Sequence, residues 1–225
     1  MIRRSVYTLL ALILLVSIYA LGGAEKSLPL TSVEGLDLRQ VEAQAAEYGG
    51  RKALRIMQAP DAQGEAVMAL LTDFEFQDGT IELELVGKPA EGAFGGARGF
   101  VGIAFRVAPD ASRFECFYLR PTNGRADDQL RRNHSAQYIS YPDYPWHRLR
   151  EETPGKYESY VDLVPGEWTK VKIVVSGTTA RLFVHGASQP TLIVNDLKAG
   201  TSSGQVALWV GPGSECYFSN LRLSD

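Results

Sequence analysis

The residues PGEWTKVKIVVSGTTARLFVHG, from Pro165 to Gly186, decide the fold class of this chain. Trp168–Ser176 alternates in a period of two, and Ala180–His185 repeats the same period. Alternation of this kind puts apolar side chains on one face of a strand. Ser176-Gly177-Thr178 lies between the two runs and has the composition of a tight turn. The stretch therefore predicts two neighbouring antiparallel strands, with Val171, Ile173 and Val175 on the buried face of the first.

The same period extends outward on both sides of this hairpin. Gly, Pro and Asp-Gly turns separate the runs, which are rich in β-branched and aromatic residues, as in β-sandwiches. The chain is therefore predicted to be all-β, an antiparallel sandwich of two sheets. The further predicted strands are Thr80–Val86, Phe100–Val107, Phe114–Arg120, Gln205–Val210 and Cys216–Leu223.

The N-terminal part has a more ambiguous pattern. Leu36–Tyr48 contains enough Ala, Glu and Gln for a helix. The sequence Tyr48-Gly49-Gly50-Arg51, however, is typical of a hairpin turn. The interpretation favoured here is a hairpin of strands at Val41–Glu47 and Lys52–Met57.

Three segments of the C-terminal third resemble the closing strands of concanavalin A-like jelly rolls. They are Pro165–Gly186, Gly204–Trp209 and Tyr217–Leu223. The resemblance is closest to the 3-keto-disaccharide hydrolase domain group of that superfamily, and it covers roughly Phe74 to Asp225. It implies a jelly-roll fold whose members bind glycans, cleave glycosides or adhere. The motifs concern packing and turns, so they specify the fold better than the function.

The first 24 residues have the features of a secretory signal peptide. Arg3 and Arg4 precede an apolar run from Val6 to Leu21, and Gly22-Gly23-Ala24 follows it. Export with cleavage after Ala24 is predicted, which leaves 25–225 as a single domain. An uncleaved membrane anchor is the alternative, because the run is only slightly short for a bilayer span.

The overall charge argues against two classes of partner. The chain carries a formal charge of −3. Removal of Arg3 and Arg4 takes this to −3 − 2 = −5. A mildly acidic protein has no general electrostatic attraction for nucleic acid or for anionic membranes. No nucleic-acid partner is expected, and no membrane contact beyond the possible anchor.

Leu119–Arg150 is predicted to be one long loop insert in the sandwich. It holds six arginines and three aspartates together with several aromatic residues. Flat aromatic faces suit sugar rings, and Arg, Asp and Asn suit their hydroxyls. Long loops are commonly functional, but the same Arg–Asp pairs and Tyr hydroxyls also serve to hold a loop against the sandwich. The candidate ligand-binding residues are Arg120, Asn123, Arg131, Tyr138, Tyr141, Tyr144 and Trp146.

The resemblance to 3-keto-glycoside enzymes also implies candidates for catalysis. Those enzymes are thought to polarise the keto sugar with a metal or with an acid/base pair. Oxygen and imidazole donors are available in the insert, so a divalent metal is a possible cofactor of unknown identity. Asp143 is a further potential metal ligand. The candidate catalytic residues are His134, Asp128, Asp127 and His147.

Two cysteines, Cys116 and Cys216, have two interpretations. In an oxidising compartment they could form a disulfide. Alternatively both are small buried hydrophobic residues, the common state of free cysteine.

Three functions remain open from the sequence. The leading one is non-catalytic binding of a carbohydrate or glycan-derived ligand, with the insert as a binding rim. The second is an enzyme that acts on 3-keto-glycosides or related sugar bonds. The third is a module for adhesion or interaction with another protein.

Overall fold

The computed structural model describes residues 25–224, so the predicted signal segment 1–24 and Asp225 lie outside the described residues. Within this range fifteen strands form two sheets, and all strand pairs are antiparallel. The prediction of an all-β, two-sheet antiparallel architecture is confirmed. None of the helices in residues 25–224 is long and apolar enough to cross a membrane.

Sheet A has the strand order β13-β12-β11-β6-β15-β4-β3, and β1 pairs with β15 beside that path. The long strand β15 holds the sheet together because it pairs with β1, β4 and β6. The strands are β1 (Lys26–Leu28), β3 (Val41–Tyr48), β4 (Arg51–Gln58), β6 (Gly79–Pro89), β11 (Thr169–Ser176), β12 (Thr179–Val184), β13 (Leu192–Val194) and β15 (Ser214–Ser224).

Sheet B has the order β10-β9-β8-β7-β14-β5-β2. Its central strands are buried along their whole length, which indicates that both faces of this sheet are covered. The strands are β2 (Leu36–Arg39), β5 (Met68–Phe76), β7 (Val101–Val107), β8 (Phe114–Leu119), β9 (Ala136–Tyr141), β10 (Glu158–Ser159) and β14 (Gly204–Val210).

The two predicted hairpins of sheet A are both present. Ser176 pairs with Thr179 across a two-residue connection, and Gly177 has a positive φ of 56° there. Strands β3 and β4 join through Gly49 and Gly50, with φ values of 57° and 75°. Only glycine adopts such angles freely, so these residues set the turns. The helical alternative for Leu36–Tyr48 is therefore wrong.

A fully buried arginine ties loops from both sheets together. Arg106 has a positive φ of 52° at the point where the register between β7 and β14 shifts. Its guanidinium donates hydrogen bonds to the carbonyl oxygens of Gln77 (2.8 Å), Gly177 (2.7 Å) and Gly200 (2.6 Å). It also contacts the Asp78 carboxylate at 3.0 Å. These bonds compensate for the burial of the charge.

Leu119–Arg150 is not one long loop, and this part of the prediction is wrong. The segment contains the strand β9, which pairs with β8 from Phe114↔Tyr141 to Leu119↔Ala136. It also contains a 3-10 turn at Pro121–Asn123 and the helix α1 (Gln129–Asn133). The helix α2 (Trp146–Glu152) begins within it. Periodicity did not reveal β9 because its polar residues Gln137 and Ser140 lie on opposite faces of the strand, so apolar and polar residues do not alternate along it.

Cys116 and Cys216 are both free and fully buried, so the disulfide alternative is wrong. Cys116 belongs to β8 in sheet B, and Cys216 belongs to β15 in sheet A. The Cys216 thiol instead donates to the carbonyl oxygen of Phe100 at 3.3 Å. Burial raises the pKa of both thiols, as expected for structural cysteines.

Replacement of Arg106 by Met is expected to lower the free energy of unfolding by at least about 3 kcal/mol, because buried carbonyl groups lose their donor. Urea-induced unfolding measures this difference. The matched control is Arg181→Met at an exposed position of β12, with an expected change within about 0.5 kcal/mol. Equal stabilities of the two variants would contradict the role given to Arg106.

Candidate functional site

A pair of aromatic rings lies on one face of sheet B because a glycine separates their strands. Gly102 in β7 pairs with Tyr118 on one side and with Trp209 on the other. A Cβ at residue 102 would lie 2.5 Å from the Cβ of Tyr118. Without that atom the rings of Tyr118 and Trp209 approach to a centroid distance of 4.9 Å. The glycine therefore permits a continuous aromatic floor.

This floor forms the base of a cavity of about 200 Å³, hereafter the aromatic cavity. Tyr118 and Trp209 are only 3% and 4% exposed, because other segments rise around them. Phe94 and Trp146 are 58% and 38% exposed and are therefore its solvent-facing members. The lining consists of Gly64, Glu65, Phe94, Gly96, Phe100, Tyr118, Ile139, Trp146, Trp209, Val210 and Pro212.

Glu65 is the acidic residue among the side chains that line the aromatic cavity. The indole nitrogen of Trp209 donates to the carbonyl oxygen of Glu65 at 2.7 Å, which fixes the backbone there. The carboxylate oxygen Oε2 of Glu65 is buried and has no hydrogen-bond partner. Burial raises the pKa of Glu65, and the charge of His147 opposes that shift. The sequence analysis missed this residue, because nothing in its neighbourhood has the spacing of a motif.

Arg120 occupies the border between the aromatic cavity and the rest of the insert. Its guanidinium lies 4.8 Å from the ring centroid of Tyr118 and 5.9 Å from that of Trp146. It donates to the Tyr118 hydroxyl at 2.8 Å, to Gln137 Oε1 at 3.1 Å and to the carbonyl oxygen of His134 at 2.9 Å. Arg120 thus links Tyr118, on the floor of the cavity, to Gln137 and His134 of the insert.

A buried carboxylate, Glu158, organises the polar groups beside the cavity. Arg150 binds both of its oxygens, one of them through Nε at 3.1 Å. Arg120 Nη1 lies 3.7 Å from it, and His134 Nδ1 lies 2.8 Å from it without hydrogen-bond geometry. Burial, followed by repulsion from Arg150 and Arg120, lowers the pKa of His134 despite the attraction of Glu158.

The four predicted catalytic residues do not form one cluster. Asp128 caps α1 by accepting from the backbone nitrogen of Arg131 at 2.6 Å, and Asp127 is exposed. His147 is exposed beside Trp146, whereas His134 contacts Glu158. In residues 25–224 no three His, Cys, Asp or Glu side chains are placed to hold a metal ion. The grouping of Asp127, Asp128, His134, Asp143 and His147 as metal ligands is therefore wrong.

Most of the predicted ligand-binding residues pack against the protein itself. Tyr138 has no exposed surface and donates to the buried Glu115, so its predicted role as a ligand contact is wrong. Tyr141 stacks on Phe114 at 4.9 Å.

Other members of the predicted set hold the insert in place. Tyr144 lies below the guanidinium of Arg148 at 4.4 Å. Arg131 binds Asn123 Oδ1 at 3.0 Å and thereby supports the 3-10 turn. Of the predicted set, Trp146 lines the aromatic cavity, and Arg120 contacts its walls.

No protein-family model and no curated protein matches this chain. Solved structures do match. The carbohydrate-binding module CBM66 from Bacillus subtilis is 14% identical, with a TM-score of 0.55 over 87% of this chain and 100% of that chain. A Bacillus subtilis protein of unknown function with a galectin-like fold is 11% identical, with a TM-score of 0.57 over 90% and 96%. A putative glycosyl hydrolase from Parabacteroides distasonis is 11% identical, with a TM-score of 0.51 over 87% and 90%.

These similarities concern the fold alone, given the low identities. They agree with the concanavalin A-like jelly roll that the C-terminal motifs predicted. The closer resemblance to the 3-keto-disaccharide hydrolase group stays a prediction.

The raised pKa of Glu65 predicts a specific pH dependence of stability. A carboxyl whose folded pKa exceeds its unfolded value lowers the stability progressively as the pH rises from the unfolded pKa to the folded pKa, and this loss is relieved as the pH falls through the same window. Glu65→Gln should therefore be more stable than the original protein at about pH 7, and this advantage should shrink toward about pH 4. Thermal unfolding across this range measures the difference.

Glu151→Gln is the matched control, because Glu151 is exposed on α2. The stability difference between this variant and the original protein should stay flat with pH. A Glu65→Gln advantage that grows as the pH falls would contradict the burial of an unpartnered carboxylate.

Proposed function

We propose that this chain is an exported carbohydrate-binding module and that a sugar ring binds in the aromatic cavity. The observation that carries this proposal is the composition of the cavity. Rings from three separate parts of the chain, Tyr118, Trp146 and Trp209, line this space together with Glu65, whose buried Oε2 has no hydrogen-bond partner. Small-molecule sites are typically concave, mostly apolar and provided with a few fixed polar groups.

The chemistry of a sugar ring fits such a surface. One face of a pyranose carries mainly C–H groups and packs on aromatic rings, whereas its edge carries hydroxyl donors. The buried oxygen of Glu65 would accept a hydrogen bond from one of these hydroxyls. An unsatisfied buried acceptor costs about 1–3 kcal/mol, so a donor from the ligand would remove that cost.

The insert contributes one wall of the proposed site. Trp146, the first residue of α2, lines the cavity, and Arg120 and Arg150 lie 5.9 Å and 4.7 Å from its ring. Arg120 and Arg150 also contact Glu158, which fixes them.

Two proteins of similar fold are named for binding or hydrolysis of carbohydrates, which supports the proposal. One is a carbohydrate-binding module and another is a putative glycosyl hydrolase, with TM-scores of 0.55 and 0.51. Export is proposed from the sequence pattern of residues 1–24.

Glycoside hydrolysis is a second candidate function, favoured by the state of Glu65. Burial in an apolar cavity raises its pKa, and a carboxylic acid of this kind can protonate a leaving-group oxygen. Water would then attack the anomeric carbon as the leaving-group oxygen departs, and the proton that this water loses would return to the Glu65 carboxylate. Release of sugar from plain or 3-keto-disaccharides, measured by mass spectrometry and abolished by Glu65→Gln, would support this function over binding alone.

Trp146→Ala should weaken glycan binding at least about tenfold, because central aromatic anchors commonly contribute 2 kcal/mol or more. Isothermal titration calorimetry with soluble oligosaccharides of several compositions measures the affinity. Tyr160→Ala is the matched control. Its ring is 41% exposed, close to the 38% of Trp146, but it lines a neighbouring groove.

Affinity of the Trp146→Ala protein equal to that of the original would exclude the aromatic cavity as the site. Absence of binding to any glycan, together with capture of a protein ligand by the same surface, would favour the adhesion function instead.

A further inference from the structure

Several arginines converge on the 3-10 turn next to the aromatic cavity. The backbone nitrogen of Thr122 donates to the carbonyl oxygen of Arg98 at 3.2 Å. Arg131 Nη2 contacts the Thr122 hydroxyl at 3.3 Å from the other side. Arg120 joins the group through the carbonyl oxygen of His134, which also accepts from Asn123. The backbone of Arg98 and the guanidinium of Arg131 therefore contact the same short turn, and the Arg120 guanidinium shares with Asn123 of this turn the carbonyl oxygen of His134.

Acidic side chains do not neutralise this cluster. Within residues 25–224, neither Arg98 nor Arg131 has a carboxylate oxygen within 4.0 Å, and the nearest carboxylate of Arg120 is Glu158 at 3.7 Å. Glu158 is already bound by Arg150. Burial, together with repulsion from Arg131 and Arg120, lowers the pKa of Arg98. An acidic protein thus concentrates positive charge at one border of its candidate site.

The hydrogen-bonding capacity of two of these arginines is only partly used. Arg98 donates through Nη1 to the carbonyl oxygens of Gly95 and Ala97. Arg131 donates through Nε and Nη2. In the described part of the chain, Nε and Nη2 of Arg98 and Nη1 of Arg131 have no acceptor. Guanidinium N–H groups fit the oxygens of carboxylate and of tetrahedral anions.

We propose that the glycan bound in the aromatic cavity is anionic and that its carboxylate or sulfate group binds Arg98 and Arg131. The inference rests on the proposed function and adds the substrate class. The sugar ring would bind in the aromatic cavity, and its charged substituent would bind to Arg98 and Arg131 beside the cavity. The segment Phe94–Phe100 connects the two, because Phe94 and Phe100 line the cavity and Arg98 lies between them in the chain.

Three soluble polysaccharides test the charge requirement with the full purified protein. Polygalacturonate carries carboxylates, dextran sulfate carries sulfate esters, and dextran is neutral. We expect the better anionic glycan to bind at least about tenfold more tightly than dextran, since hydrogen bonds to charged groups contribute about 1.5–3 kcal/mol each. The comparison of the two anionic polymers identifies the substituent.

The double variant Arg98→Gln/Arg131→Gln should bind the anionic glycan only as tightly as dextran. The quantity compared is the ratio of its affinities for the anionic glycan and for dextran, so that an equal loss of both affinities through weaker support of the 3-10 turn by residue 131 does not count as loss of the anionic preference. The control is Arg113→Gln/Arg181→Gln, which removes the same charge from two exposed arginines at other places. This control should keep the preference for the anionic glycan.

The results that would overturn the anionic preference differ from those that would overturn carbohydrate binding itself. Equal affinity for dextran and both anionic glycans, unaffected by Arg98→Gln/Arg131→Gln, would overturn the anionic preference and leave carbohydrate binding in place. Polyglutamate binding as strong as that of the anionic glycans would also overturn it, because the sugar would then be irrelevant. Absence of binding to any of the polysaccharides, while the protein is folded, would overturn both.

Discussion

The pairing of β9 with β8 is the interaction on which the candidate site depends. It adds residues of the insert to sheet B in a fixed register, with Ile139 opposite Cys116 and Gln137 opposite Tyr118. Ile139 thereby joins the floor of the aromatic cavity, and Gln137 accepts from Arg120. The chain then leaves β9 and returns through α2, so that its first residue, Trp146, becomes a wall. A slip of one residue would turn every one of these side chains to the other face.

The charged groups near the aromatic cavity fall into two kinds, those that have a partner of opposite charge and those that lack one. Glu158 is buried but is contacted by Arg150, Arg120 and His134, so its charge is compensated. Glu65 is partly buried with one oxygen unpartnered, and Arg98 and Arg131 have no carboxylate partner in the described residues. Removal of one partner from a buried group of the first kind would leave a charge uncompensated and would be strongly destabilising. Unpaired groups of the second kind, beside a cavity, are more useful for a ligand than for folding.

The sequence predicted the fold better than the site. Period-two alternation identified strands of both sheets, as in β11, where Val171, Ile173 and Val175 lie on the buried face. It missed β9, because Gln137 and Ser140 lie on opposite faces of that strand and interrupt the alternation. The composition of the insert predicted a binding surface there, with Trp146 among its ligand-binding residues. It missed Glu65, Tyr118 and Trp209, since these residues meet only through the Gly102 register and the loops that cover sheet B. Composition also led to the wrong prediction that Tyr138 contacts a ligand, because composition contains no information on burial.

A sugar ring is proposed to bind in the space between Trp146 and Trp209. The chain has three tryptophans, and the third, Trp168, packs on the other sheet with Ala53, Val86 and Tyr217. Proton–nitrogen NMR spectra of the three indole groups, recorded during titration with oligogalacturonate and with a glucose oligosaccharide, test the claim most directly. The Trp146 and Trp209 signals are expected to shift together while the Trp168 signal stays in place. Binding that shifts only Trp168, or none of the three, would contradict it.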